Sequence, residues 1–272
     1  MIWLRFRRSK LAVGALIYVV IVALIAVCAP LITVDPNAID LVSRLSPPDR
    51  APPLGTDDLG RDIYARLVHG ARVSLTIGFS ATAIALIIGS LLGALAGFYG
   101  GVADWIVSRA IEVVLCFPFL LLVLAIVALF GPSFLTIMIA LGLTSWTSEA
   151  RFMRGEFLRI REMEFAQAAR ASGARDARII FRHLLPNALA PVLVSASFGV
   201  ASAILTESAL SFLDMGVPPP TPSWGNMLTI AQRHIDYAWW LVVFPGVAIF
   251  LTVAAFNIIG DRVRDALDPR SE

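Results

Sequence analysis

Residues 113–148 read VVLCFPFLLLVLAIVALFGPSFLTIMIALGLTSWTS, without one charged side chain. A helix needs about 20 apolar residues to cross ~30 Å of hydrocarbon, so this stretch can cross twice. Gly131-Pro132-Ser133 stands near its middle and supplies the turn chemistry that a hairpin between two crossings requires. Four further uncharged stretches, 11–34, 73–103, 184–206 and 237–260, supply one span each. The pattern predicts an all-α integral membrane protein with six transmembrane helices and both ends on one side.

Composition agrees. The chain has 272 residues, 58% hydrophobic and 15% charged, with a mean hydropathy of +0.79, a balance that a soluble domain could not keep in solution. Its net charge of +2 is too small to argue for nucleic acid as a partner. Cys28 and Cys116 lie inside apolar runs and read as small packing residues, not as a disulfide, metal site or nucleophile. Arg5, Arg7, Arg8 and Lys10 precede the first run, as in a secretion signal. That run is longer than the roughly 7 to 15 residues of a signal core, and Val27 is not the small residue expected just before a lipidated cysteine. A retained first helix with a cytoplasmic basic flank is expected.

Basic residues set the orientation. The N-terminal tail holds four of them and no acid, and the segment from Glu149 to Arg182 holds eight arginines against five acids, so both are expected in the cytoplasm. The segment 35–72, expected outside, carries five arginines balanced by six aspartates. No phosphate-binding loop, zinc-ligand cluster or serine elbow appears, and His69, His183 and His234 are far apart in sequence. If energy drives transport, a partner must supply it.

The most informative cytoplasmic stretch is EFAQAARASGAR at 164–175, followed by RIIFRHLLPN at 178–187. It reads as helix, glycine break, helix, proline stop. Ala168, Ala169 and Ala171 favour helix and present little bulk, Gly173 permits a left-handed turn, and Pro186 is expected to end the second short helix. Such a pair with an arginine face suits docking into a groove of another protein; a solvated loop between spans is the alternative. With Gln167-Ala168-Ala169, then Gly173, then His183-Leu184-Leu185-Pro186, the stretch resembles the cytoplasmic coupling loop of bacterial ABC importer permeases. The spacing is intact, with Gln167 in place of that pattern's glutamate and His183 in place of its isoleucine. The resemblance implies an ATPase-coupling set of Glu164, Gln167, Ala168, Ala169, Arg170, Gly173, Ala174, Arg178 and Pro186.

Three more stretches narrow the family: LGTDDLGRDIYAR at 54–66 with GARVSL at 70–75, SFLDMGVPPPTPSWGNM at 211–227, and NIIGDRVRDALDPR at 257–270. They resemble the C-type permease subunit of dipeptide and oligopeptide importers. This implies a type I ABC importer permease fold in the bacterial inner membrane, with cytoplasmic N- and C-termini. It also implies a heterodimer with a B-type permease, two ABC ATPase subunits that bind ATP and Mg, an external substrate-binding protein and a peptide cargo, with no cofactor in this chain. Relatives of that subunit carry nickel, glutathione or haem. On this reading 1–72 form an N-terminal helix and external loop. Residues 73–260 form the transmembrane domain with its coupling loop at 150–187, and 261–272 form a cytoplasmic tail.

Other residues carry weaker expectations. Charges alternate with glycines over 55–62, which suits a tight loop whose arginines pair with aspartates. The prolines at 218–222 predict an extended, stiff loop. Trp224, Trp239 and Trp240 fit an interfacial aromatic belt. Gly89, Gly93 and Gly97 recur every four residues and mark a close helix contact, with a pore lining as the alternative. Glu207, with Ser208 and Ser211, is a candidate for the translocation path, for contact with a peptide's amino end, or for an interfacial hydrogen bond without a substrate role. Glu149 is expected where the fourth span leaves the membrane. An ion-coupled transporter would need ionisable residues deep in several spans, and a membrane enzyme would need converging acids, histidines or a nucleophile. Neither pattern is present.

Overall fold

A computed structural model describes residues 9–50 and 52–267. Arg5, Arg7 and Arg8 of the basic flank, and the tail from Asp268 onward, lie outside the described residues. The helices are α1 (Lys10–Ile32), α2 (Ile63–Tyr99), α3 (Gly101–Leu115), α4 (Phe119–Phe130), α5 (Phe134–Ile160), α6 (Glu164–Ala171), α7 (Asp176–Arg178), α8 (Leu185–Phe212), α9 (Trp224–Gln232) and α10 (Trp240–Leu267), with a π-helical segment Ile179–Leu184 leading into α8.

The hairpin expected within 113–148 is present. Phe130 ends α4, Gly131 adopts φ +84°, and Ser133 caps α5 by accepting the Thr136 amide at 3.0 Å. The first arm of that hairpin is not one straight span. The chain bends by 84° between α3 and α4, around Cys116-Phe117-Pro118, where proline breaks the helical ladder.

By length and apolarity, α1, α2, the part of α8 from Pro191 and α10 can each cross a bilayer, and the bent α3–α4 pair brings the number to five. The sixth crossing is α5, whose second half carries Glu149, Arg151, Arg154 and Glu156. Its direction identifies it. Gly142 meets Ala81 and Ile84, Gly89 meets Trp146 to Ala150, Gly93 meets Ala150 and Met153, and Gly97 meets Arg154 and Phe157. Both helices advance together, so α2 and α5 are parallel, and α3–α4 must return the full length between them. Arg161 at the end of α5 reaches the Gly97 carbonyl (2.9 Å), while Val73 and Phe134 share a core at the other end.

The remaining helices alternate. Gly78 packs against Val200 and Ile204 while Gly199 packs against Thr82, so α8 is antiparallel to α2. Trp240 lies with Ile63 near the start of α2, whereas Gly260 meets Phe198, so α10 returns beside α8. Tyr18 bonds Thr252 (3.1 Å) and Leu11 lies by Ile258, so α1 is antiparallel to α10. The chain makes six traverses, with α1 beginning at the end where α10 finishes.

The glycine face of α2 is a packing face. A Cβ at Gly89, Gly93 or Gly97 would fall 2.5, 2.4 or 2.6 Å from atoms of α5, so these two backbones touch because side chains are missing. The charged loop before α2 is buried. Asp57 (1% exposed) accepts a hydrogen bond from the Arg61 Nε at 2.6 Å and forms a longer ion pair with the Arg66 Nε at 3.6 Å, and both arginines are buried. Arg66 also donates to the Pro36 carbonyl at 3.3 Å, which ties the loop to α2.

Two of the three tryptophans depart from the belt expected of them. Trp224 and Trp240 are buried, their indole N–H groups donating to the carbonyls of Leu67 (3.0 Å) and Thr56 (3.1 Å). One carbonyl on α2 and one in the loop before it accept these bonds, because a buried indole N–H needs a partner. Trp239 is exposed.

Candidate functional site

The expected coupling stretch lies where α5 ends and α8 begins, at the same end of the bundle as the finish of α2. Helix α6 is short and amphipathic, with Ala166 its one buried residue. It closes with a left-handed glycine cap: Gly173 has φ +75°, its N–H donates to the Arg170 carbonyl (2.9 Å), and the Ala174 N–H reaches back to Ala169 (3.1 Å). Ala169 and Ala174 pack against the core beneath, beside Phe157 and Ile160. Glu164, Gln167, Ala168, Arg170, Gly173 and Arg178 face outward. Gln167 donates to the Glu162 carbonyl (3.1 Å) and so braces the start of its own helix.

The loop is anchored to the spans. Arg170 sits 5.1 Å above the Phe98 ring at the end of α2. Arg154 pairs with Asp104 of α3, its Nη2 donating to Oδ2 at 2.7 Å. Ile179, Ile180 and Leu184 bury into the core that contains Phe98, Met153 and Phe157. The loop thus packs directly on α2 and α5, and α5 is paired to α3.

Pro186 does not stop a helix as expected. It is exposed near the start of α8, and the chain runs helically from Asp176 through the π segment to Phe212. The π segment removes the conflict. Leu185 donates to the Ile180 carbonyl, one residue beyond α spacing, and this wider turn accommodates a proline that has no N–H to give.

Glu207, Ser208 and Ser211 come together but do not line an open passage. Glu207 is fully buried, and its Oε1 accepts from Ser211 Oγ and Ser223 Oγ, each at 2.8 Å. Ser223 also caps α9 in a capping box with Asn226, and Gly225 packs directly on Ser208 and Ser211. The trio locks α9 onto α8.

The open space is elsewhere. A cavity of about 930 Å³ lies between α2, α5 and α8, with hydroxyls of Thr82, Thr144, Thr147, Ser195 and Ser202 and the carboxyl of Glu149 on its walls. Thr82 and Thr144 donate to the carbonyls of Gly78 (2.7 Å) and Ala140 (2.8 Å), which lets a hydroxyl sit at membrane depth. Glu149 is 7% exposed, packs against Gly89, and lies within α5, which continues beyond it to Ile160. A carboxylate looks like an exit in sequence; here two neighbouring helices enclose it. Reading the sequence for charge missed this site because its remaining donors are single Ser and Thr residues on three separate helices. Their one signal was spacing, Thr144 with Thr147 and Ser195 with Gly199 and Ser202, each set on one helix face.

Comparison with known proteins returns two family models. "Binding-protein-dependent transport system inner membrane component" matches residues 70–272, and "N-terminal TM domain of oligopeptide transport permease C" matches residues 1–53. The chain is 45% identical over 267 residues to the dipeptide transport system permease protein DppC of Alkalihalophilus pseudofirmus, covering 98% of this chain and 88% of that protein. It is 40% identical over 270 residues to the glutathione transport system permease protein GsiD of Pectobacterium atrosepticum, covering 98% and 90%. Among solved structures, an inward-facing MetNI methionine ABC transporter superposes with a TM-score of 0.59 at 21% identity, over 75% of this chain and 97% of that one. That likeness is one of fold.

Proposed function

This chain belongs to the family of binding-protein-dependent transport system inner membrane components, and we propose that it is the C-type permease subunit of an ATP-driven importer of dipeptides or oligopeptides. The observation that carries this is the 45% identity to a dipeptide permease subunit along nearly the whole chain, the segment before α2 and the α8–α9 junction included. It is a multi-pass membrane protein and a transport component rather than a catalyst. The same architecture with glutathione as cargo is the second reading, supported by the 40% identity to a glutathione permease subunit.

In this reading 1–72 are the first helix and external loop, 73–260 the transmembrane domain, 150–187 the coupling region and 261–272 the tail, with both termini in the cytoplasm of a bacterial cell. A B-type permease forms the other half of the path, an external protein delivers peptide, and two ATPase subunits supply ATP and Mg chemistry that this chain does not perform. Glu164, Gln167, Ala168, Arg170, Gly173 and Arg178 would meet an ATPase through their outward face. Ala169 and Ala174 seat the loop on the core, and Pro186 starts the span that the loop pulls. Nucleotide-driven closure of the ATPases would bias one of two arrangements of the spans, and peptide binding the same equilibrium from the other side. For Glu207, Ser208 and Ser211 the enclosed geometry supports a holding role.

Co-expression with the neighbouring ATPase genes tests the partner claim: the ATPase should be retained with this chain on a detergent column. Cells lacking this chain should lose uptake of a labelled dipeptide. Free passage of the ATPase through the column, or undiminished uptake, would overturn the reading, and loss of glutathione uptake alone would replace the cargo.

A further inference from the structure

Glu149 combines three properties that the coupling role does not use. It is nine-tenths buried, it lines the cavity between α2, α5 and α8, and its position is locked because its Cβ rests where Gly89 has no side chain. Its charge is poorly answered. Ser195 Oγ bonds Glu149 Oε2, but that hydroxyl also lies 2.7 Å from the Val192 carbonyl, and its single proton cannot serve both. The other charged groups on the cavity wall are Glu156, which is paired with Arg159 at 2.6 Å, and Arg264 on α10. No ion pair joins Arg264 to Glu149 among the described residues. A buried carboxylate with no cation bonded to it is costly, and a cationic ligand relieves that cost.

We propose that this cavity is a binding site for the protonated amino group of the transported peptide, with Glu149 as counter-charge and Ser195 holding its carboxylate; the inference rests on the peptide-import reading above. An amine fits better than a metal cation. A metal needs several converging ligands, and no group of three or more His, Cys, Asp or Glu that could hold one occurs among the described residues. One carboxylate with a serine hydroxyl on it, in a cavity whose wall carries further threonine and serine residues, matches an ammonium, which has three donors and no acceptor. Phe117, Phe152 and Phe198 on the remaining wall give peptide side chains an apolar surface without fixing their identity.

The test is uptake of radiolabelled dialanine by cells carrying the full importer with Glu149→Gln or Glu149→Asp in this chain. The initial rate should fall about tenfold in Glu149→Gln, the size of one charge-assisted hydrogen bond, with the amount of co-purified ATPase unchanged. Glu149→Asp, which keeps the charge, should recover much of it. A wild-type rate in Glu149→Gln overturns the site. Should that variant fail to assemble, labelling of Glu149 by a carbodiimide in the unaltered complex, read by mass spectrometry, decides the matter. Dialanine should slow it several-fold and N-acetyl-dialanine should not; equal labelling with both overturns the site. Absence of any peptide uptake by the wild type would count against the peptide reading, whereas normal wild-type uptake with an indifferent Glu149→Gln would count against this site alone.

Discussion

At Gly173 the backbone angle φ is +75° and a Cβ would meet nothing within 4 Å, whereas at Gly93 a Cβ would fall 2.4 Å from the Ala150 carbonyl oxygen. The first glycine is required for its conformation and the second for its absence of bulk. This difference makes a specific prediction for the coupling loop. Gly173→Asn should retain most uptake, because asparagine tolerates the left-handed region and the space is open. Gly173→Val should abolish uptake, since a β-branched residue in that region is a true outlier, and forcing it there costs at least about 1–2 kcal/mol in a cap that has few other bonds. Peptide uptake at equal membrane levels checks both. Equal activity of the two variants would show that the cap does not transmit force.

Among the elements, α9 depends most visibly on a few polar atoms. Its nine residues are held by the Ser223 cap, by the Glu207 carboxylate that joins Ser223 to Ser211, and by Asn226 donating to the carbonyls of Val217 (3.1 Å) and Thr221 (2.7 Å). Ser223→Ala should remove both the cap and one of the two bonds to a buried carboxylate, a loss of about 1–3 kcal/mol. The measurement is the thermal midpoint of the detergent-solubilised protein, which should fall, while Ser223→Thr should stay near wild type. The same reasoning explains α5. Its charges made it too polar to score as a span by composition, yet the α2 glycines hold it parallel and in contact over most of its length.

For the whole molecule, the loop before α2 is a structural plug centred on Asp57. Asp57 answers Arg61 and Arg66, all three are buried, and Thr56 beside it accepts the Trp240 indole of α10. Asp57→Asn should leave buried Arg66 without its ion-pair partner and Arg61 with only Asp58, at 3.7 Å, and cost about 3–5 kcal/mol. Loss of monodisperse protein on size exclusion would report it, and adding Arg66→Met should restore part of the yield. Family, fold class and the number of traverses were all legible in the sequence. Each rests on a property summed along the chain, such as a charge-free length or a motif spacing, and transfer into hydrocarbon depends on that sum wherever the partners lie. The bend at Pro118, the inward turn of Trp224 and Trp240, the continuous helix through Pro186 and the different surroundings of Glu149 and Glu207 were decided by the tertiary structure. Both acids look alike in sequence, each near the end of an uncharged run. Which one closes on two serines and which one faces a cavity depends on which helices pack beside it, and local sequence does not encode those neighbours.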